Sequence, residues 1–268
     1  MIMDSKRTVL LTNDDGYLSK GIKYLYDVLS VEYNVLVVAP ECEQSGVGHA
    51  FTFNQPLHYE KIPENTAMQG YFVSGTPSDC VKFAISYLMK NRPDIIISGL
   101  NIGENSGLSA FYSGTVAAAR EGAFWNISSF AFSICKEAME WASDYIKIVP
   151  NLVNDIISTR LNASPDDKRI YYNINFPCCR FEEVQGTIVT SQSLAYFDDR
   201  YEKIEVQTHK TGEGFMIYGE KKDIEISNGF DSRALMNNYI TITPLLFDAT
   251  AHNAIASLRW LEENYTKR

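Results

Sequence analysis

The chain has 268 residues and a net charge of −9, with 24 Lys and Arg against 33 Asp and Glu, which argues against a basic face for nucleic-acid polymers. Its hydrophobic fraction of 45% is typical of a globular protein, and no apolar run approaches the roughly 18 residues of a membrane span. The five cysteines are odd in number, and the first residues lack the apolar core of a signal peptide. We therefore expect reduced thiols in a cytoplasmic protein without a membrane partner.

The first predicted elements form a strand–helix–strand unit. Residues 8–12 are apolar and β-branched and stop at Asn-Asp-Asp-Gly, which predicts a buried strand and a turn. Apolar residues then recur at helical spacing from Gly21, and residues 35–39 predict a second buried strand closed by Pro40. Two strands and a helix within about forty residues indicate a parallel βαβ unit.

The same alternation continues to about residue 135. Thr76, Pro77 and Asp79 are typical of a helix start, and this helix is predicted to reach Lys90. A long Gly/Asn/Ser-rich loop over residues 99–113 precedes a helix of small residues. The predicted strands cover residues 57–62, 71–73, 94–98 and 129–134, and the small-residue helix covers 114–121. This order predicts an α/β fold of three layers, with a Rossmann-like, mostly parallel sheet.

The second half has weaker patterns. Residues 137–159 are predicted to be helical with a kink at Pro150, and residues 171–175 to form a strand. A hairpin is expected over residues 203–218 and a closing helix over residues 249–265. We expect one domain over residues 1–268, with a catalytic core in 1–135 and a β-rich C-terminal part in 136–268.

Asp14 and Asp15 are the first candidates for chemistry. Adjacent carboxylates repel each other unless a cation lies beside them, and Mg²⁺ is typically held by one or two carboxylates. In parallel sheets, ligands bind beyond the carboxyl ends of the strands, which is where this pair falls. An ordinary turn is the alternative, because Asp and Gly both favour turns.

The loop after residue 98 supplies the second group of candidates. Asn101 and Asn105 offer neutral oxygens, and the loop leads into a helix that begins at Ser113, Gly114 and Thr115. The free N–H groups of a helix N-terminus favour phosphate. Loops of this length inside a compact sheet are more often functional than not. A flexible loop before a capped helix is the alternative.

The loop after residue 39 gives a weaker signal. Ser45 could complete a metal shell, and His49 could contact a substrate, although a surface loop containing glycine explains both residues equally well. A G-x-G-x-x-G motif and a P-loop are both absent. A receiver-type phosphoacceptor domain also places an acidic pair after its first strand, but it is much shorter. A metal-dependent glycosyltransferase stays open as an alternative.

Five ordered motifs resemble the SurE family of survival proteins, which are 5′/3′-nucleotidases. Two further matches follow at residues 173–177 and 240–245. The five motifs cover residues 11–16, 38–46, 75–81, 98–107 and 112–122. The chain departs from the family pattern at Phe230 and Asn238, where Thr and Gly are usual, and its hairpin lacks the usual Pro-Arg-Gly and Trp.

The resemblance implies a function and a set of site residues. One Mg²⁺ or Mn²⁺ per subunit would bind to four ligands, which are Asp14, Asp15, Ser45 and Asn101. The same two aspartates and Asn101 would be catalytic. Phosphate contacts would come from Asn105, Ser113, Gly114 and Thr115.

The implied substrates are nucleoside 5′-monophosphates, with nucleoside 3′-monophosphates as a further class. The implied assembly is a cytoplasmic homodimer or homotetramer with an exchanged C-terminal segment. A metal-dependent nucleotide-binding or glycosyl-transferring protein without phosphatase activity is the alternative function.

Overall fold

A computed structural model of the chain describes residues 6–160, 170–205 and 212–265. Its strands are β1 (Thr8–Thr12), β2 (Asn34–Pro40), β3 (Tyr59–Lys61), β4 (Gly70–Val73), β5 (Ile95–Ile102), β6 (Ser128–Ile134), β7 (Ile170–Phe176), β8 (Gly186–Val189), β9 (Tyr196–Glu205), β10 (Glu213–Lys222) and β11 (Tyr239–Leu246). Its α-helices are α1 (Lys20–Leu29), α2 (Pro77–Phe83), α3 (Ser109–Tyr112), α4 (Gly114–Phe124), α5 (Ala142–Tyr145), α6 (Val149–Arg160), α7 (Asp231–Met236), α8 (His252–Leu258) and α9 (Trp260–Tyr265). Within these residues, no helix is long and apolar enough to cross a membrane.

Nine strands form one sheet in the order β3-β4-β2-β1-β5-β6-β7-β11-β8. The neighbours from β4 to β7 are parallel, and β1 pairs with β2 as the predicted βαβ unit requires. Antiparallel pairs occur where β3 joins β4 and where β11 joins β7. The mostly parallel α/β sheet predicted from the sequence is therefore confirmed.

Alternating side chains of the central strands pack against helices on both faces of the sheet. Val9 and Leu11 belong to a core with α1 and α6, whereas Leu10 lies in a second core with α2 and α4. This alternation follows from the two-residue period of a strand. All three side chains are completely buried, and burial of such a side chain contributes roughly 1.5–3 kcal/mol.

The helix start predicted at Thr76 is confirmed. The Thr76 hydroxyl accepts a hydrogen bond from the Asp79 N–H at 3.1 Å, and the Asp79 carboxylate accepts one from the Thr76 N–H at 2.9 Å. Ser19 caps α1 by accepting from the N–H of Ile22. Gly21 lets α1 approach the sheet closely, because a Cβ there would lie 1.9 Å from the Leu100 carbonyl oxygen.

Several predicted boundaries were wrong. The helix from residue 76 ends at Leu88 after a π-helical turn, and β5 continues to Ile102, into the predicted loop. Pro150 does not kink a helix but lies in the first turn of α6, where its missing N–H costs nothing. The closing helix is two short helices, α8 and α9.

The predicted hairpin is present and longer than expected. Strands β9 and β10 pair antiparallel from Tyr196 with Lys222 to Glu205 with Glu213. Residues 206–211, within the range predicted for the hairpin, lie outside the described residues. All five cysteines are free thiols, as the sequence predicted.

Candidate active site

The turn after β1 is held by Asn13. Its side-chain amide donates to the Gly16 carbonyl oxygen at 2.9 Å and to the Ser19 hydroxyl at 2.8 Å. These bonds connect the end of β1 to the cap of α1. The turn that contains Asp14 and Asp15 is therefore fixed from both sides.

Asp14 is buried against the start of α4. The Thr115 N–H donates to Asp14 Oδ2 at 3.0 Å, and the Thr115 hydroxyl donates to Asp14 Oδ1. Burial raises the pKa of Asp14, and the bonds from Thr115 partly offset that rise. Gly114 permits this approach, since a Cβ there would lie 2.9 Å from Asp14 Cβ and 3.1 Å from Pro77 Cγ.

Asp15 lacks the support that Asp14 receives. Its Oδ2 atom is buried and has no hydrogen-bond partner within the described part of the chain. Burial and the neighbouring Asp14 charge raise the pKa of Asp15 to about 6, against a small lowering by the Ile102 backbone. A buried carboxylate oxygen without a donor is costly, so this atom is suited to a cation.

The loop after β2 is attached to the same edge of the sheet. The Gln44 N–H donates to the Asp14 carbonyl oxygen at 2.7 Å, and the Gly48 N–H donates to the Tyr112 carbonyl oxygen at 2.9 Å. Ser45 lies between these two anchors, and its hydroxyl donates to Glu43 Oε1 at 2.6 Å. The backbone therefore brings Ser45 close to Asp14.

The end of β5 places Asn101 and Asn105 at this edge. The Asn101 amide nitrogen donates to the Gly103 carbonyl oxygen at 2.6 Å, which leaves its side-chain oxygen for another group. Asn105 is held by Asn175, whose Oδ1 accepts from its N–H at 2.7 Å, and by Ser133, whose hydroxyl accepts from its side-chain amide at 2.8 Å.

These loops enclose a cavity of about 280 Å³, which we call the catalytic cavity. Predicted site residues that line it are Asp14, Ser45, Asn101, Asn105 and Ser113. Asp15, Gly114 and Thr115 do not line the cavity. Thr115 instead holds Asp14, and the Ser113 hydroxyl caps α4 by accepting from the Val116 N–H at 3.1 Å.

His49 does not line the catalytic cavity, and its interpretation as a substrate contact stays a prediction. Its Nε2 lies 3.0 Å from Glu121 Oε2, and its ring stacks on Phe124. Burial alone would raise the pKa of Glu121, but bonds from His49, Trp125 and Lys82 outweigh burial and lower it. These contacts connect the loop after β2 and helix α2 to α4.

Sequence reasoning missed the residues that fix the loop after β5. Lys221 of β10 forms an ion pair with Glu104 and donates to the Ser106 hydroxyl at 2.7 Å. Asp231 is completely buried and accepts from the N–H groups of Gly107 at 3.0 Å and Ser193 at 2.8 Å. Glu104, Ser106 and Gly107 lie in a motif that the sequence singles out, whereas Lys221 and Asp231 are more than a hundred residues away from it.

We expect Asp231→Ala to destabilise the protein by about 2–4 kcal/mol, because it leaves buried N–H groups without acceptors. Urea unfolding monitored by circular dichroism measures this change. Asp155→Ala, at an exposed position of α6, is the control and should have little effect. Equal stability of the two variants would contradict the anchoring role of Asp231.

The donor set fits a hard divalent cation. Within the described residues, no group of three or more His, Cys, Asp or Glu side chains could hold a metal. The two aspartates would therefore need neutral oxygens to complete a shell, and Ser45 and Asn101 place such oxygens at the catalytic cavity. Carboxylate, hydroxyl and amide oxygens are typical ligands of Mg²⁺ and Mn²⁺.

The chain is similar to members of one protein family. The family model described as "Survival protein SurE" matches residues 9–199. A protein of Flavobacterium psychrophilum named 5′-nucleotidase SurE is 36% identical over 95% of this chain and 97% of its own length. Its namesake from Aquifex aeolicus is 35% identical over 96% of this chain and 99% of its own length. The crystal structure of the Aquifex aeolicus SurE protein superposes with a TM-score of 0.73, over 95% of this chain and 99% of the other.

Proposed function

Since the chain belongs to the SurE family, we propose that it is a 5′-nucleotidase that hydrolyses nucleoside 5′-monophosphates to nucleoside and phosphate. 3′-Monophosphates are a second proposed substrate class. The observation that best supports phosphatase chemistry is the unpartnered Asp15 oxygen beside Asp14, at the edge where α4 begins. Such a pair favours a cation and, through it, a phosphate.

We propose that one Mg²⁺ or Mn²⁺ per subunit is bound by Asp14, Asp15, Ser45 and Asn101. A divalent metal supplies two effects, a lower pKa of bound water and neutralisation of charge on the phosphoryl group. Thr115 keeps the Asp14 carboxylate in one orientation, so this ligand does not need to be reorganised.

The remaining predicted residues would act on the phosphate, either by contact or through the dipole of α4. Asn105 and Ser113 line the catalytic cavity, and both are buried and held by hydrogen bonds. Gly114 and Thr115 contribute the start of α4, whose N-terminal dipole favours negative charge. With Thr115 bonded to Asp14, that dipole acts on the aspartate and the phosphate together.

Phosphate release from a panel of nucleoside monophosphates, with Mg²⁺ and with Mn²⁺, tests this function. We expect release from 5′-monophosphates with at least one of the metals. The alternative is a metal-dependent nucleotide-binding or glycosyl-transferring protein. Tight nucleotide binding without any phosphate release would favour that alternative and contradict the proposal.

The binding of Mg²⁺ should release about half a proton from Asp15 at pH 6 and almost none at pH 8. The pKa of Asp15 is about 6, so about half of this carboxyl is protonated at pH 6 and about 1% at pH 8. A metal ligand must be deprotonated, so affinity should also fall below pH 6. Calorimetry in two buffers of different ionisation enthalpy measures the protons released, and equal release at both pH values would contradict the assignment of Asp15 as a ligand.

We also propose a cytoplasmic homodimer or homotetramer. The hairpin and the C-terminal helices expose apolar side chains, among them Phe215, Ile217 and Ile255. Exposed apolar patches of this kind are typical of interfaces. Light scattering of the purified protein would distinguish these assemblies from a monomer.

A further inference from the structure

A second cavity of about 160 Å³ lies beside the catalytic cavity, and we call it the base cavity. Ser109, Tyr112 and Phe197 line both cavities, so the two spaces share a wall. Phe197 belongs to β9, whereas Ser109 and Tyr112 belong to α3. A ligand whose phosphate occupies the catalytic cavity could therefore extend into the base cavity.

The shared wall carries exposed aromatic rings. Tyr112 is 69% exposed and Phe197 is 47% exposed, and both rings border the two cavities. Across the described ranges, neither ring stacks on another aromatic ring. Planar nucleobases stack readily on such faces because every base has a π-face.

Two polar side chains also line the base cavity. The Ser109 hydroxyl oxygen is buried without a hydrogen bond inside the described segments. Asp199 lies on the same face of β9 as Phe197, two residues away, and its Oδ1 would be 2.6 Å from a Cβ at Gly219. The absence of a side chain at Gly219 therefore leaves room for the Asp199 carboxylate.

We propose that the base cavity is the nucleobase subsite and that Asp199 selects guanine. This inference rests on the proposed function, because it assigns the part of the substrate beyond the phosphate. Tyr112 and Phe197 provide the stacking faces. Ser109 lies between the two cavities, where it can bond to the sugar.

The hydrogen-bonding edges of the bases explain why Asp199 would select guanine. An ionised carboxylate only accepts, and its two oxygens can accept from two parallel donors. Guanine presents N1–H and its amino group side by side. Adenine and cytosine place a ring acceptor beside their amino group, and hypoxanthine has N1–H without the amino group. Only guanine satisfies both carboxylate oxygens of Asp199.

The test uses the full chain and two readouts. Titration with guanosine, inosine and adenosine, followed by saturation-transfer NMR without metal, measures base recognition independently of hydrolysis. The kcat/KM values for the corresponding 5′-monophosphates measure it during turnover. The variants are Asp199→Asn and Phe197→Leu, and Asp198→Asn is the matched control because its side chain lies on the opposite face of β9.

We expect wild-type protein to favour guanosine over inosine and adenosine, and Asp199→Asn to reduce guanosine affinity about tenfold or more. Phe197→Leu should weaken the binding of all three nucleosides, and Asp198→Asn should leave the three affinities unchanged. Equal binding of the three nucleosides, or an unchanged guanosine preference in Asp199→Asn, would overturn the subsite. Guanosine preference without phosphate release from any nucleotide would overturn the proposed function and leave the subsite standing.

Discussion

Replacement of Asp15 by Asn is expected to reduce kcat/KM for a nucleoside 5′-monophosphate by roughly 10³-fold or more, because loss of even a supporting residue at metal sites costs about 10- to 100-fold. Asn keeps the size of the side chain but removes the charge. The Asp15 oxygen that lacks a partner within the described structure would then be a neutral amide atom. Steady-state phosphate release with saturating Mg²⁺ or Mn²⁺ measures the effect.

The same substitution should stabilise the metal-free protein. The folded-state pKa of Asp15 is raised from 3.8 to about 6, so its favourable contribution exists below about pH 4 and is lost as the pH rises through 6. The substituted amide side chain has no charge to bury. At pH 8 the variant should gain on the order of 1–2 kcal/mol, after allowance for solvent screening.

Thermal unfolding in EDTA, at several pH values, checks this stability prediction. The difference in Tm between variant and wild type should be near zero at pH 4 and should reach a plateau above pH 7. Asp155→Asn provides the control, since Asp155 is exposed on α6. A variant that is both active and no more stable than wild type would refute the role given to Asp15.

Gly114→Ala should lower kcat by about 10- to 100-fold while the protein stays folded, because small displacements of catalytic groups have effects of this size. The new Cβ would lie 2.9 Å from Asp14 Cβ, a contact that requires movement of Asp14 or α4. The backbone of Gly114 is not strained, because its φ is not in the left-handed region. Ala itself favours helices, so any loss of stability would come from this contact, and thermal unfolding of the variant measures it.

Two Thr115 variants distinguish an effect of the position of Asp14 on activity from an effect of damage to α4. Thr115→Ser keeps the hydroxyl that donates to Asp14 Oδ1, whereas Thr115→Val removes it with little change in shape. We expect near wild-type turnover in the first and a reduction similar to that of Gly114→Ala in the second. Full activity in both Gly114→Ala and Thr115→Val would show that the orientation of Asp14 does not matter.

The arrangement of the sheet was predictable because its strands are short, apolar runs that end at turn residues. The carboxyl ends of parallel strands lie at one edge, and this rule alone placed Asp14, Asn101 and Ser113 together. The structure brings these residues to one cavity. Ser45 was selected only through the resemblance to a family, since an isolated serine in a glycine-rich loop has no distinctive pattern.

Other features depend on contacts that are distant in the sequence. The bond between Asp231 and the Gly107 N–H spans 124 residues, and the ion pair between Lys221 and Glu104 spans 117. The spacing of apolar residues within one strand or helix does not indicate such contacts. The unpartnered oxygen of Asp15 is likewise a property of the packed structure, because it depends on which donors reach the turn.

Hydrolysis by this protein is proposed to require a divalent metal held by Asp14, Asp15, Ser45 and Asn101. The most direct measurement is phosphate release from a nucleoside 5′-monophosphate by EDTA-treated protein, followed by stepwise addition of Mn²⁺ or Mg²⁺. We predict no release above background after chelation, and recovery that saturates at one metal ion per chain. Undiminished release after exhaustive chelation, with no gain on adding metal, would contradict the account.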